Sequence, residues 1–221
     1  MITPQEEAYV LEKAYVPEHI INLMGPISNG EPFLKEEHLG FAKDNWLIFV
    51  GYPLDQNFSQ VRTEGVVKEA VESFRPEVLW FIGPEILPSL MDSCKERETD
   101  RYYTLDLEQT KLKPSLQRIA DKAKELTVER SRSFLKEHQV LVAELLKREK
   151  LPPRVRELYR AMPNYVAHSS SAVVLNARDK KKRLSAFYVV ELGAKDFSTY
   201  VLGCHSKKHY VSHASDVLFL V

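Results

Sequence analysis

The segment Leu184-Ser-Ala-Phe-Tyr-Val-Val-Glu191 is apolar, aromatic and β-branched, the composition of a strand. Ala172–Leu175 before it and Ser198–Gly203 after it read the same way. The polar loop Asn176–Arg183 (NARDKKKR) and the Gly193-containing turn GAKD join the three, and links this short predict an antiparallel meander. Beyond it come CHSKKHYVSHASD, without a strong pattern, and Val217–Val221 (VLFLV). Ser215 or Asp216 would cap a helix there, yet the chain stops after about one turn. Such an ending suits a strand that closes the sheet, or a fragment of a longer natural protein.

Working back from the meander, the chain reads as helices without strands as far as Lys111. Leu116, Ile119, Ala120 and Ala123 form one apolar stripe, and Phe134, Leu135, Leu141, Val142, Leu145 and Leu146 a longer one ending before Pro152-Pro153. Val155, Leu158, Tyr159 and Met162 form a third. Before Lys111 the pattern alternates. Trp46–Val50, Val78–Ile82 and Tyr102–Leu107 read as strands. Val66, Val67, Ala70, Val71 and Phe74 share a helical face that ends before Pro76, and Ser89 with Asp92 could cap a helix running to about Glu98. At the start, Thr3, Pro4 and Glu6 fit an N-cap, a first-turn proline and a capping-box glutamate. The fold class is therefore α/β (α+β): a small, mostly parallel βαβ half over residues 1–110, then residues 111–221 with helices packed on an antiparallel meander.

Charge marks the same boundary. The 221 residues hold 31 Lys and Arg against 31 Asp and Glu, a composition that excludes disorder and disulfide scaffolds. Residues 1–110 carry 9 bases and 20 acids, a net of −11, whereas residues 111–221 carry 22 and 11, a net of +11. Anionic ligands are expected on the second half. Cys94 and Cys204 show no metal spacing, no apolar run approaches the roughly 18 residues of a membrane span, and the acidic N-terminus does not read as a signal peptide. These features predict a cytoplasmic protein without a membrane partner.

His205, His209 and His213 recur every four residues, with Cys204 and Asp216 beside them. On a continuous helix the three imidazoles would align, and neighbouring pairs could chelate Zn²⁺. That makes a metal-dependent enzyme one reading, although no metal is expected. The alternative uses position: a strand running through a loop into a helix N-terminus presents free N–H groups to a phosphate, with Lys207 and Lys208 adding charge.

Basic helices, a meander, a loop and a capped helix, carried by Leu184–Glu191, Tyr200-Val-Leu-Gly-Cys-His-Ser206 and Ala214-Ser-Asp-Val-Leu-Phe219, resemble the GNAT acyltransferase superfamily. The closer resemblance is to its Fem-like, peptidoglycan-type branch and related GNAT-like proteins. It covers residues 111–221. The resemblance implies that main-chain groups of Val201, Leu202 and Gly203 bind the pantetheine arm of acetyl-CoA or another acyl-CoA. It places the pyrophosphate along Lys208, Val211, Ser212, His213, Ala214 and Ser215. The superfamily's loop reads Arg/Gln-x-x-Gly-x-Gly/Ala, whereas KKHYVSHA holds no glycine; branches without that loop use other donors, such as aminoacyl-tRNA. Acyl transfer to an amine needs a base, for which Glu191 is the candidate, and an acid, for which Tyr210 or His209 is. The expected function is acyl or aminoacyl transfer from a CoA thioester or charged tRNA. A non-catalytic GNAT-like module binding nucleic acid or an acidic partner is the rival. A homodimer is open, and residues 1–110 would be a degenerate GNAT-like copy.

Overall fold

In a computed structural model that describes residues 2–107, 114, 118 and 125–220, two four-stranded sheets carry seven α-helices among the described residues. The first half contains α1 (Pro4–Lys13), α2 (Ile21–Ser28), β1 (Glu31–Lys35), β2 (His38–Lys43), β3 (Trp46–Val50), α3 (Gln60–Phe74), β4 (Val78–Ile82) and α4 (Pro88–Met91). The second contains β5 (Thr127–Ser131), α5 (Lys136–Arg148), α6 (Pro153–His168), β6 (Ala172–Arg178), β7 (Leu184–Glu191), β8 (Thr199–His205) and α7 (Ala214–Leu218).

The mixed α/β class is as expected, and α1 begins as read. The Thr3 hydroxyl accepts from the Glu6 N–H and the Glu6 carboxylate accepts from the Thr3 N–H. The first sheet departs from a mostly parallel βαβ unit. Only β3 and β4 run parallel, and β1 and β2 add an antiparallel hairpin in the order β1-β2-β3-β4. Residues 102–106 form no strand; Tyr103 is 90% exposed, and Tyr102 instead donates its hydroxyl to Glu18. Helix α4 starts at Pro88 and ends at Met91, well short of Glu98; Ser89 lies inside its first turn and donates its N–H to Glu64 instead of capping the helix. The stripe from Leu116 to Ala123 lies outside the described residues.

The three expected strands form an antiparallel meander as read, but the stretch after Lys111 is not helices alone: Thr127–Ser131 adds a fourth strand against β6, giving the order β5-β6-β7-β8. Strand β6 is longer than expected, reaching Arg178, so the loop shrinks to residues 179–183; there the Asp179 carboxylate accepts from the N–H groups of Lys181 and Arg183. Of the terminal apolar run, Val217 and Leu218 end a short helix, and no described residue of it is in a strand. Helix α7 is preceded by His213 in the left-handed region (φ 65°), not by Ser215 or Asp216.

Both sheets are covered on both faces. On β7, Phe187 and Val189 face α5 and α6, while Ala186 and Tyr188 face α7, which explains its unbroken apolar run. In the first half, Leu39, Phe41, Ile48 and Val50 meet α1 and α2, and Leu47 and Phe49 meet α3. The order of two helices, three antiparallel strands and a helix therefore occurs twice. The halves also share a core: Ala14, Ile20 and Leu23 pack with Met162, Tyr165 and Val166 of α6.

Candidate functional site

Strand β8 forms one edge of the second sheet. Just past it, the Ser206 N–H donates to the Ser185 carbonyl at 2.8 Å, so this facing pair is hydrogen-bonded. Antiparallel pairs alternate between bonded and non-bonded, and the register continues through His205↔Ala186 and Cys204↔Phe187 to Gly203↔Tyr188. Gly203 thus belongs to a non-bonded pair, and its N–H and C=O point away from β7, toward the sheet edge. The carbonyl is met there by the Tyr159 hydroxyl of α6, at 2.9 Å. Burial, with the Cys204 thiol beside it, pushes the Tyr159 hydroxyl up to about 12 and keeps it a donor at neutral pH. Glycine is required at 203 because a Cβ there would lie 2.3 Å from the Tyr188 ring. Leu202 is buried in the core, and Val201 sits at a bulge where the register with β7 shifts.

At the strand exit, His205 sets its ring edge-on to the exposed Tyr210, with centroids 6.0 Å apart. Ser206 is buried and its hydroxyl accepts from the His209 N–H; the Lys207 N–H donates to Glu144 of α5. Lys208 and Ser212 are exposed, Val211 and Ser215 are half-buried, and Ala214 is buried with its N–H donating to the Val211 carbonyl. The three histidines do not share a helix: His205 ends β8, His209 lies in a turn, and His213 precedes α7 with Nδ1 2.8 Å from Asp216. Among the described residues no group of three or more His, Cys, Asp or Glu side chains is placed to hold a metal, and the helical alignment of the three imidazoles expected from their spacing does not occur.

Glu191 lies at the opposite end of β7. Five residues separate it from Ala186, the partner of His205, or about 17 Å at about 3.3 Å per residue. It is fully buried. One oxygen accepts from the Gly193 N–H at 2.7 Å, and the other from the Tyr165 and Ser169 hydroxyls. Burial and the Glu191 contact push the Tyr165 hydroxyl well above its ordinary range. The structure thus brings Gly203 and the segment from His205 to Ser215 together and leaves Glu191 apart from His209 and Tyr210. The sequence does not mark Tyr159 or Tyr165 as polar contacts: Tyr159 reads as a member of an apolar stripe, and nothing in a stripe shows which hydroxyl meets a main-chain carbonyl.

The same end of the sheet carries the β6–β7 tip. Lys180 pairs with Glu125 and Arg183 with Asp179, while Lys181, Lys182, Lys207 and Lys208 are exposed. Elsewhere part of the second half's positive charge meets the first half: Arg154 bonds Glu96 and Glu98 and lies 4.3 Å over the Trp80 ring, and Lys195 reaches Glu12. Two open hollows, one of about 470 Å³ beside Phe33, Trp46 and Phe74 and one of about 610 Å³ between α3 and α4, lie in the first half, away from β8. Among the described residues no helix is long and apolar enough to cross a membrane.

No protein-family model and no curated protein matches the sequence. In structure the chain is similar to L-PGS from Bacillus licheniformis, with 15% identity and a TM-score of 0.56 over 99% of this chain and 73% of that one. Similarity at that identity is one of fold, and a fold alone does not carry an activity.

Proposed function

We propose that this chain is an acyl- or aminoacyl-transferase of GNAT-like fold that takes its donor along the outer edge of β8 and passes the acyl group to an amine. The observation that carries the reading is the outward-facing main chain of Gly203 at the start of a basic, histidine-rich segment. It is supported by the fold shared along nearly the whole chain with L-PGS, a lysyl-phosphatidylglycerol synthase. The doubled order of helices and strands fits a first half that is a degenerate copy of the second.

Donor binding follows from the edge. A secondary amide laid beside β8 can accept from the Gly203 N–H and donate to its C=O, as one strand meets another. Val201, Leu202 and Gly203 would hold the arm of an acyl-CoA in this way. The phosphates would meet the residues from Lys208 to Ser215 through charge more than through a backbone cradle. The N–H groups of Lys207, His209 and Ala214 already have acceptors within the fold. A charged tRNA, whose phosphates need only positive charge nearby, suits the same surface.

In the transfer, the amine nitrogen attacks the donor carbonyl and a C–N bond forms while the C–S or C–O bond breaks. The ammonium proton leaves to a base, and the departing thiolate or ribose oxygen takes a proton from His209 or Tyr210. Glu191 receives a positioning role in this reading, because both its oxygens are engaged and it lies far along β7; His205 and His213 are then the nearest alternatives as base.

Thermal melting of the chain with CoA and acetyl-CoA, beside loss of the aminoacyl group from charged tRNA in the presence of amines, tests the proposal. A rise in melting temperature that saturates with CoA, or amine-dependent deacylation, is expected. No response to any CoA species together with no deacylation above spontaneous hydrolysis would overturn it. A second reading, a non-catalytic module that docks on nucleic acid, is favoured by the exposed lysines of the β6–β7 tip and the β8 exit. Retention on RNA that falls steeply with salt, without turnover, would favour it.

A further inference from the structure

We infer that Tyr159 is a latch on the β8 edge: its hydroxyl holds the Gly203 carbonyl until a secondary amide of the donor displaces it. The inference rests on the proposal that donors bind along that edge, and it concerns a residue that the resemblance does not assign.

Three observations carry it. The alternation of bonded pairs fixed by the Ser206 to Ser185 hydrogen bond turns the Gly203 N–H and C=O outward. The Tyr159 hydroxyl, coming from another element, donates to that carbonyl at 2.9 Å. The Tyr188 ring packs so closely on Gly203 that no side chain fits there, so the edge at this residue is bare main chain. A carbonyl turned outward on an edge strand invites pairing with an extended chain. An internal hydroxyl on it satisfies the acceptor and makes the edge less available. The oxygen has two lone pairs, but both donors reach it from outside β7, so an arriving amide N–H competes with the Tyr159 hydroxyl for the outward approach. The Gly203 N–H meets no such competition from Tyr159, so the donor's carbonyl can bind first and the exchange at the Gly203 oxygen follows.

Tyr159→Phe removes the competing hydroxyl and leaves the ring in place. The probes are CoA and the shorter pantetheine, titrated calorimetrically into wild type and variant. Both ligands should bind the variant about 3- to 10-fold more tightly, the range spanned by one net hydrogen bond. Equal gains for the two would locate the effect at the amide-bearing arm, whereas a gain for CoA alone would place it at the phosphates and overturn the latch. Unchanged affinity in the variant, with wild type binding normally, would overturn the latch and leave donor binding along the edge intact. Weaker binding would mean that Tyr159 contacts the donor directly, which also overturns it. Failure of both proteins to bind either ligand would bring down the latch together with CoA as donor. A fall in melting temperature without a change in affinity would leave Tyr159 a structural contact only.

Discussion

His19 and His38 are fully buried in the first half, and each is held neutral by its surroundings. Nε2 of His19 lies 2.8 Å from the Tyr52 carbonyl and must carry the proton, which leaves Nδ1 to accept from the Tyr15 N–H. His38 reaches Thr63 through Nε2, while its buried Nδ1 has no hydrogen-bond partner among the described residues. Burial pushes both imidazoles down to about 4, and at His38 the nearby Arg62 guanidinium adds to the effect against the opposing Asp55 carboxylate. Asp55 itself is held near 2, mainly by its hydrogen bonds from Arg62, and stays charged across the range that matters here. The unfolded chain takes up protons below about 6.5 that the folded chain refuses until about 4. Their contribution is therefore complete above pH 6.5 and is lost as the pH falls toward 4, with a slope of about 1.4 kcal/mol per pH unit for each proton. Urea unfolding at pH 7.5, 5.5 and 4.5, in wild type and His38→Gln, checks this. The variant should lose less stability than wild type over that interval; equal losses would show that His38 does not titrate in this way.

At the scale of elements, Glu191 ties the end of β7 to the C-terminus of α6 and the start of β6. Its carboxylate collects the Tyr165 and Ser169 hydroxyls and the Gly193 N–H, and the Ser169 hydroxyl in turn accepts from the Ala172 N–H at 2.9 Å. Glu191→Ala would leave three donors without an acceptor in a buried place, at a cost of about 2–4 kcal/mol. Glu191→Gln keeps one acceptor oxygen and should recover part of that. Denaturant midpoints read both; a loss under about 0.5 kcal/mol for the alanine variant would show that water replaces the carboxylate. Elements that were legible in the sequence are those whose pattern and burial agree, such as β7, α3 and the capped α1. Those that were not have local signals opposed by tertiary context. Strand β1 begins with Glu31-Pro32, tolerable because it is an edge strand, and β2 contains Gly40, needed because a Cβ there would lie 2.2 Å from the Phe33 ring. Helix α2 carries Gly25 and Pro26, which speak against a helix locally, yet its Ile21 and Leu23 are buried. Residues 102–107 have the alternating, aromatic composition of a strand, yet Tyr102 turns its hydroxyl to Glu18 and Tyr103 lies 90% exposed. The strand and loop of the candidate site were readable for the same reason as β7, whereas the Tyr159 contact depends on α6 crossing the sheet.

At the scale of the molecule, the change of charge near residue 110 was plain in the sequence, but the packing across it was not. A charge sum records no contacts, and the residues that join the halves are apolar: Ile20 and Leu23 seat against Met162 and Val166 in one cluster that continues to Phe187 and Leu202. The ion pairs from Arg154 and Lys195 to first-half glutamates are exposed and add little, about 0–1 kcal/mol each. Cooperation between the halves therefore rests on the shared apolar cluster, and the two tryptophans provide a way to see it. Trp46 and Trp80 both stand in the first half, on β3 and β4, so tryptophan fluorescence reports unfolding there, while far-ultraviolet circular dichroism reports both halves. Met162→Ala, at a fully buried site of α6 in the second half, should cost about 2–5 kcal/mol. Because Met162 packs in the cluster shared with Ile20 and Leu23, its loss should move the fluorescence transition and the dichroism transition to lower urea together. A fluorescence transition that stays in place while the dichroism signal divides into two steps would mean that the first half stands without the second. The contact between α2 and α6 would then orient two independent units instead of joining one cooperative fold.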